Sequence, residues 1–157
     1  MWHACLATPI GELLLVASEA GLHRIEFERP GATRVTPGRP SAANLKTVID
    51  QLNEYFAGER RHFDLELAPA GTPFQLSVWN ALRQIEYGGT RSYAEIAQVI
   101  GRAAAVRAVG AANGANPIPI VIPCHRVIGK SGALTGFGGG LDVKRRLLDF
   151  EAGYRTL

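Results

Sequence analysis

Residues 116–127, Asn-Pro-Ile-Pro-Ile-Val-Ile-Pro-Cys-His-Arg-Val, end an apolar run carrying three prolines on a thiol, an imidazole and a guanidinium in succession: Cys124, His125 and Arg126. A thiolate is a strong nucleophile, and an imidazole titrates near neutral pH, where it can take the thiol's proton. A lone free cysteine is more often a small buried hydrophobe, so the case for chemistry rests on its neighbours. Each proline lacks the N–H a central strand needs, and the run therefore reads as a stiff, buried, extended scaffold. A carboxylate completes the set. In the last helix, Val143, Leu147 and Leu148 form the apolar stripe with Asp142 as cap, and Glu151 falls on the same face, four residues after Leu147 and three after Leu148. A buried carboxylate must be paired, or else exposed by fraying. His125 is the expected partner, giving a Glu–His–Cys relay, direct or through water, recognised by roles rather than chain order.

Two segments must hold these groups. In the first, residues 2–7 and 12–17 flank the turn 8–11 as a hairpin, His23, Ile25 and Phe27 alternate as a third strand, and residues 29–40 form an irregular loop. Leu45, Val48, Ile49, Leu52, Tyr55 and Phe56 share one helical face ended by Gly58, and Phe63, Leu65 and Leu67 alternate as a further strand. Residues 1–68 thus make a small sheet with one helix and no convergent polar set, a scaffold. His3 and Cys5 with His23 and His62 lack the tight paired spacing of zinc ligands, and no metal is expected.

After the linker 68–71, residues 72–157 read as helical. Thr72, Pro73 and Gln75 open a helix whose stripe is Phe74, Val78, Ala81, Leu82 and Ile85, with Trp79 as core and Gly88-Gly89 as its end. Ser92 and Glu95 make a second capping box, Gly101 turns the chain, and a helix over 103–113 follows, ended by Gly114. Two short helices across a glycine turn are the pattern of a helix-turn-helix. Ala103, Ala104, Ala105, Ala108, Gly110, Ala111 and Ala112 leave the second helix almost no side chain able to read base edges, while Arg102 and Arg107 supply charge. That suits sequence-independent binding in the minor groove. A small-residue helix packed tightly on a neighbour fits the same composition.

The run Asn-Pro-Ile-Pro-Ile followed by Ile-Pro-Cys-His-Arg-Val resembles the active-site signature of the O6-alkylguanine-DNA alkyltransferases, over about residues 72–152. The resemblance implies a ribonuclease-H-like N-terminal domain, so the fold expected is α/β: a small β-sheet plus helix, then a helical domain with a helix-turn-helix. It implies Cys124 as alkyl acceptor with His125, Glu151 and Asn116 as catalytic partners, Asn116 linking the helix-turn-helix to the active-site turn. It further implies Tyr93, Val127, Phe137 and Gly138 as substrate-binding residues, the glycine-rich segment 135–140 acting as a lid. The corresponding DNA contacts are Arg107, Arg102, Ala105, Ala108 and Gly110, with Arg107 filling the gap left by a flipped-out nucleotide and Tyr93 promoting its rotation. The implied partner is double-stranded DNA containing alkylated guanine, met by a monomer without cofactor.

With 157 residues, 46% hydrophobic, the chain can bury a real core. Its net charge of +3 divides unevenly: residues 1–70 hold seven Lys/Arg against nine Asp/Glu, residues 71–157 ten against five, so the halves carry −2 and +5. The basic half contains the Cys-His-Arg stretch and favours a polyanion. No apolar run approaches a membrane span and no signal peptide opens the chain, so a cytoplasmic protein, nuclear in a nucleated cell, is expected, with two cysteines that form no disulfide framework. Two other functions fit parts of the pattern: a lesion-binding or DNA-bending protein using the helix-turn-helix alone, and a small-molecule thiol transferase using Cys124, His125 and Glu151, which leaves Arg107 and the alanine-rich helix unexplained.

Overall fold

In the computed structural model, which describes residues 1–157, the first hairpin pairs β1 (Trp2–Thr8) with β2 (Gly11–Ser18) from Trp2 opposite Ala17 to Thr8 opposite Gly11. Gly11, at φ 105°, takes the left-handed backbone this tight turn requires. β3 (Gly21–Phe27) pairs antiparallel with β2, but Arg24 faces Val16 while Leu22 faces Ala17, so His23 is one residue too many. This bulge brings Leu22 and Ile25, three apart, to the buried side, and the simple alternation of His23, Ile25 and Phe27 does not survive it.

The loop 29–40 is irregular except at its end, where β4 (Arg39–Pro40) pairs parallel with β1 and completes the order β3-β2-β1-β4. Proline is tolerated there because this is an edge strand. A 3₁₀ turn (Ala43–Leu45) leads into α1 (Lys46–Phe56), which buries Val48, Leu52, Tyr55 and Phe56 and ends before Gly58 at φ 79°. The further strand expected over 63–67 is absent as a ladder. One bridge joins Leu67 to Leu22, and Gln51 occupies the Asp64 backbone with both halves of its amide, accepting from the N–H at 2.9 Å and donating to the carbonyl at 3.0 Å. These elements form one unit, Met1–Pro69.

The second unit, Ala70–Leu157, opens with α2 (Pro73–Leu82), whose Thr72/Gln75 capping box is fully formed. α2 stops at Leu82, earlier than Gly88-Gly89, because the chain tightens into i→i+3 bonds from Gln84 to Ala81 and Ile85 to Leu82. β5 (Arg91–Ser92) leads into α3 (Tyr93–Val99), capped by Ser92 and Glu95. Its end is a Schellman closure: Arg102 N–H bonds Ala97 O, Gly101 N–H bonds Gln98 O, and Gly101 sits at φ 74°. The next helix, α4 (Val106–Gly114), begins three residues later than alanine propensity suggests, since Ala105 N–H is turned back to Arg102 O. Trp79 is core, and its indole N–H crosses from α2 to the Ala112 carbonyl at 2.9 Å.

β6 (Val127–Ile128) pairs parallel with β5, and α5 (Leu141–Glu151) closes the unit. Asp142 is not the cap of α5. Gly140, at φ 92°, takes that place with no side-chain bond, and Asp142 lies in the first turn, where its charge faces the positive helix end. The helix is rotated so that Lys144, Leu147 and Glu151 point inward, with Val143 and Leu148 half-buried. No helix is long and apolar enough to cross a membrane.

Candidate active site

The proline-rich run is buried throughout 118–127, yet it is not extended along its length. Ile122 N–H turns back to Ile118 O at 2.9 Å, and Ile120 is the one non-glycine residue with positive φ, 75°. A β-branched residue in that region is strained, and the strain lies four residues before the thiol. Asn116 holds the fold-back from inside: its Oδ1 accepts Ile118 N–H at 3.0 Å and its Nδ2 donates to Ile122 O at 2.8 Å. The chain then enters a 3₁₀ turn, Cys124–Arg126, so that three adjacent residues leave the backbone in different directions.

Cys124 is buried, and burial pushes its thiol up to about 11 against the pull of the Asn116 amide, the Lys144 charge and the N–H groups of Cys124 and His125. At rest it is a protonated thiol. His125 is wholly inaccessible, and its Nε2 meets Glu151 Oε2 at 2.8 Å. Glu151 is held on its other side by Arg126, whose Nε donates to Oε1 at 2.7 Å and whose second amino group donates to Oε2 at 3.1 Å. Burial pushes the Glu151 carboxyl up, but His125 and Arg126 outweigh it and hold it well below the usual carboxylate range. Glu151 is therefore ionised. Arg126 also donates to Ile85 O at 2.7 Å and lies over the Tyr87 ring, 5.6 Å from its centroid.

Two buried cations in this region were not expected. Arg126 shares the Glu151 carboxylate, and nothing in the sequence Cys-His-Arg said on which side of the turn it would fall. Lys144 is completely buried, donates to Thr135 O at 2.9 Å, and is pulled below its ordinary value by burial while the Cys124 sulfur opposes that pull. Lys144 lies seven residues before Glu151 and three before Leu147, so the stripe that pointed to the glutamate also contained the lysine.

Thr135 connects this centre to a cavity of about 510 Å³ lined by Tyr93, Val106, Gly110, Thr135, Phe137 and Gly138, among others. Its hydroxyl and the Tyr93 hydroxyl are 2.5 Å apart. Gly110 lies beside the tyrosine ring, and a Cβ there would stand 3.8 Å from it, an ordinary contact distance. Val127, expected at the substrate, is wholly buried in β6 and is not among the residues lining this cavity.

The helix-turn-helix presents a surface of small side chains and positive charge. Arg102 is exposed in the turn, Ala105 is the half-buried residue preceding α4, and Arg107 and Ala108 are exposed in its first turn, while Val109, Ala112 and Asn113 face the core. Away from this region, no group of three or more His, Cys, Asp or Glu comes together. His23 is occupied by Ser18 Oγ at 2.6 Å and Ala68 O at 2.9 Å, His3 by Pro37 O at 3.0 Å, and Cys5 is exposed.

Known proteins resemble both units. Residues 1–69 match the model of the 6-O-methylguanine DNA methyltransferase ribonuclease-like domain, and residues 73–153 match that of the DNA binding domain of the same proteins. A methylated-DNA--protein-cysteine methyltransferase of Methanosarcina acetivorans is 49% identical over 154 residues, covering 96% of this chain and 98% of that protein. One from Mycobacterium tuberculosis is 52% identical over 148 residues, 92% of this chain and 88% of its own. The crystal structure of Mycobacterium tuberculosis OGT in complex with DNA superposes with a TM-score of 0.92 at 47% identity, covering 99% of this chain and 96% of that one.

Proposed function

The chain belongs to the 6-O-methylguanine DNA methyltransferase family, a direct-reversal repair protein that moves an alkyl group from guanine O6 in DNA irreversibly to a cysteine of its own, and we propose that this cysteine is Cys124. The observation that carries the assignment is the buried thiol on a 3₁₀ turn beside an imidazole whose far nitrogen is fixed by an ionised carboxylate. His125 takes the thiol proton, and Glu151 orients the ring and stabilises the imidazolium that forms. The sulfur lone pair attacks the alkyl carbon, the carbon–O6 bond breaks with its electrons going to guanine, and the proton held on His125 is the one the displaced guanine takes up. Thiol and alkylguanine become thioether and guanine, with no other reactant.

The target atom is inaccessible inside a base stack, so the nucleotide must leave it. The cavity between Tyr93 and the segment 135–138 is of the size and lining to receive a base, with Phe137 as a stacking surface and Gly138 supplying a close main-chain N–H. Arg107, exposed at the start of α4, fills the stack in the base's place, and the neighbouring Ala105, Ala108 and Gly110 let the helix approach the minor groove of any sequence. The protein acts as a monomer.

The test is exposure to duplex DNA containing O6-methylguanine, followed by mass analysis of the Cys124 and Cys5 peptides. One methyl group on Cys124 and one event per molecule are expected. Label on Cys5, or several turnovers per molecule, refutes the assignment.

A further inference from the structure

The buried side-chain polar atoms that make no hydrogen bond within the protein are two: Asn113 Oδ1 and His125 Nδ1. Unpartnered buried acceptors are costly, and each such atom in a native fold calls for a reason. Both belong to the surroundings of one peptide group. Asn113, in the last turn of α4 and 3% exposed, donates from Nδ2 to the Cys124 carbonyl at 3.4 Å, and that carbonyl belongs to the peptide joining Cys124 to His125.

The chemistry of the two orphans is set by their other bonds. The Asn113 NH₂ must face the Cys124 carbonyl, because the flipped amide would put oxygen against oxygen, so Oδ1 is an acceptor. In the neutral ring, the nitrogen beside the Glu151 carboxylate carries the hydrogen, so His125 Nδ1 is a lone pair. Two acceptors cannot satisfy each other. A water lying between them would satisfy both with its two hydrogens and still have a lone pair to accept from the Cys124 S–H; about three such bonds is the usual number for a buried water.

We propose that Asn113 is a positioning residue for the proton transfer: its side-chain oxygen and His125 Nδ1 together hold the water that carries the Cys124 proton to His125. This rests on the assignment of Cys124 and His125 above and adds a residue that the relay alone does not require. A direct thiol–imidazole bond leaves Asn113 Oδ1 unpaired, whereas the bridged arrangement pairs every polar atom. In the transfer, the S–H proton moves to the water oxygen as one water hydrogen moves to Nδ1, so the water is regenerated and the thiolate and imidazolium appear together. Asn113 fixes the second hydrogen and thereby the direction in which the first one points. Lys144, Asn116 and Glu151 are the other polar groups around this step, and none of them supplies an acceptor left open for that water in the way Asn113 does.

The test uses the full-length protein without DNA. Iodoacetamide alkylation of Cys124, resolved from Cys5 by mass, is followed across pH for wild type and Asn113→Leu, beside their melting curves. The expected result is an apparent thiol pKa raised by about one unit in the variant, a roughly tenfold slower reaction near pH 7.5, and convergence as the pH is raised. A lower melting temperature with an unchanged pH profile means Asn113 only packs, and overturns the proposal. A high-resolution crystal structure of the wild type decides independently of whether the variant folds: a water within hydrogen-bond distance of both Asn113 Oδ1 and His125 Nδ1 is expected, and none touching both overturns it. Failure of the repair assignment shows separately, as wild type that takes no methyl from DNA, while the iodoacetamide profile still judges Asn113.

Discussion

Replacing Glu151 by glutamine tests the centre most directly, and its effect has two parts that the geometry separates. The first is kinetic. A thiol at about 11 is ionised to roughly 3 parts in 10⁴ at pH 7.5, so a base that delivers the thiolate on demand is worth at most about 10³·⁵ there. General acid–base contributions of ~10²–10⁴ bracket that ceiling. Glu151→Gln leaves His125 a neutral neighbour in place of an anion, so single-turnover methyl transfer should fall about 10²–10³-fold near neutrality, with DNA affinity unchanged. The loss should shrink about tenfold per pH unit above neutrality, as solvent hydroxide takes over the deprotonation. The second part is structural. The substitution also strips the buried Arg126 of its counter-ion, and breaking such a pair costs about 3–5 kcal/mol. Gln still offers one acceptor and Arg126 keeps Ile85 O, so the lower figure applies, or about 6–12 °C of melting temperature. Radiolabel transfer to protein in quenched reactions across pH, beside calorimetry, measures both. A variant that melts low but transfers at the wild-type rate at every pH would show that Glu151 serves Arg126 and that there is no relay.

Arg107 is exposed, and if it fills the stack as proposed, Arg107→Ala should slow repair in duplex DNA while leaving reaction with free O6-benzylguanine near the wild-type rate; equal losses on both substrates refute that role. Lys144→Met removes a buried charge that has a single carbonyl partner, so the melting temperature should hold or rise, while the Cys124 thiol moves further up by about one unit and transfer slows roughly tenfold at neutral pH. A fall in stability with an unaltered thiol titration would contradict it. Glu151 has its folded pKa depressed, so its stabilisation is complete above the unfolded value of about 4.3 and is lost as pH falls through the folded one. The stability gap between wild type and Glu151→Gln should therefore close in acid, and a gap constant from pH 7 to 3 would show that the carboxylate's charge is not what holds it.

Much of this was legible because it follows from local rules. Both capping boxes, the glycine turn at Gly101 and the inward placement of Leu147 and Glu151 on α5 are set within a few residues of where they act. What stayed hidden depends on distant partners. Phe63, Leu65 and Leu67 have the alternation of a strand, yet the Gln51 side chain, not a neighbouring strand, claims the Asp64 backbone. Ala103, Ala104 and Ala105 favour helix, but the closure at Gly101 sends Arg102 back toward Ala97 and delays α4. Lys144 reads as surface by residue type, and only the carbonyl of Thr135 makes its burial tolerable. Asn113 reads as a helix end. Its proximity to the Cys124 carbonyl exists only because the run 118–123 folds back on itself at Ile120.

The same burial protects the thiol before it reacts. A thiol held near 11 is a poor nucleophile toward whatever diffuses past, so the protein is not consumed by stray electrophiles before a base is presented. The charges that lower the cost of the thiolate, Lys144 beside the sulfur and Glu151 behind His125, are fixed before substrate arrives and need no reorganisation when charge develops. Once the sulfur carries an alkyl group, none of this can run backward: the thioether has no proton for His125 to accept, and water does not displace a thiolate from an unactivated alkyl carbon. An enzyme that had to regenerate its cysteine would need a second, stronger nucleophile beside Cys124, whereas the Asn116 amide and the Glu151–Arg126 pair there are engaged in hydrogen bonds and the other cysteine, Cys5, is exposed in the first unit. Stoichiometric action thus follows from the stability of the thioether that the reaction leaves.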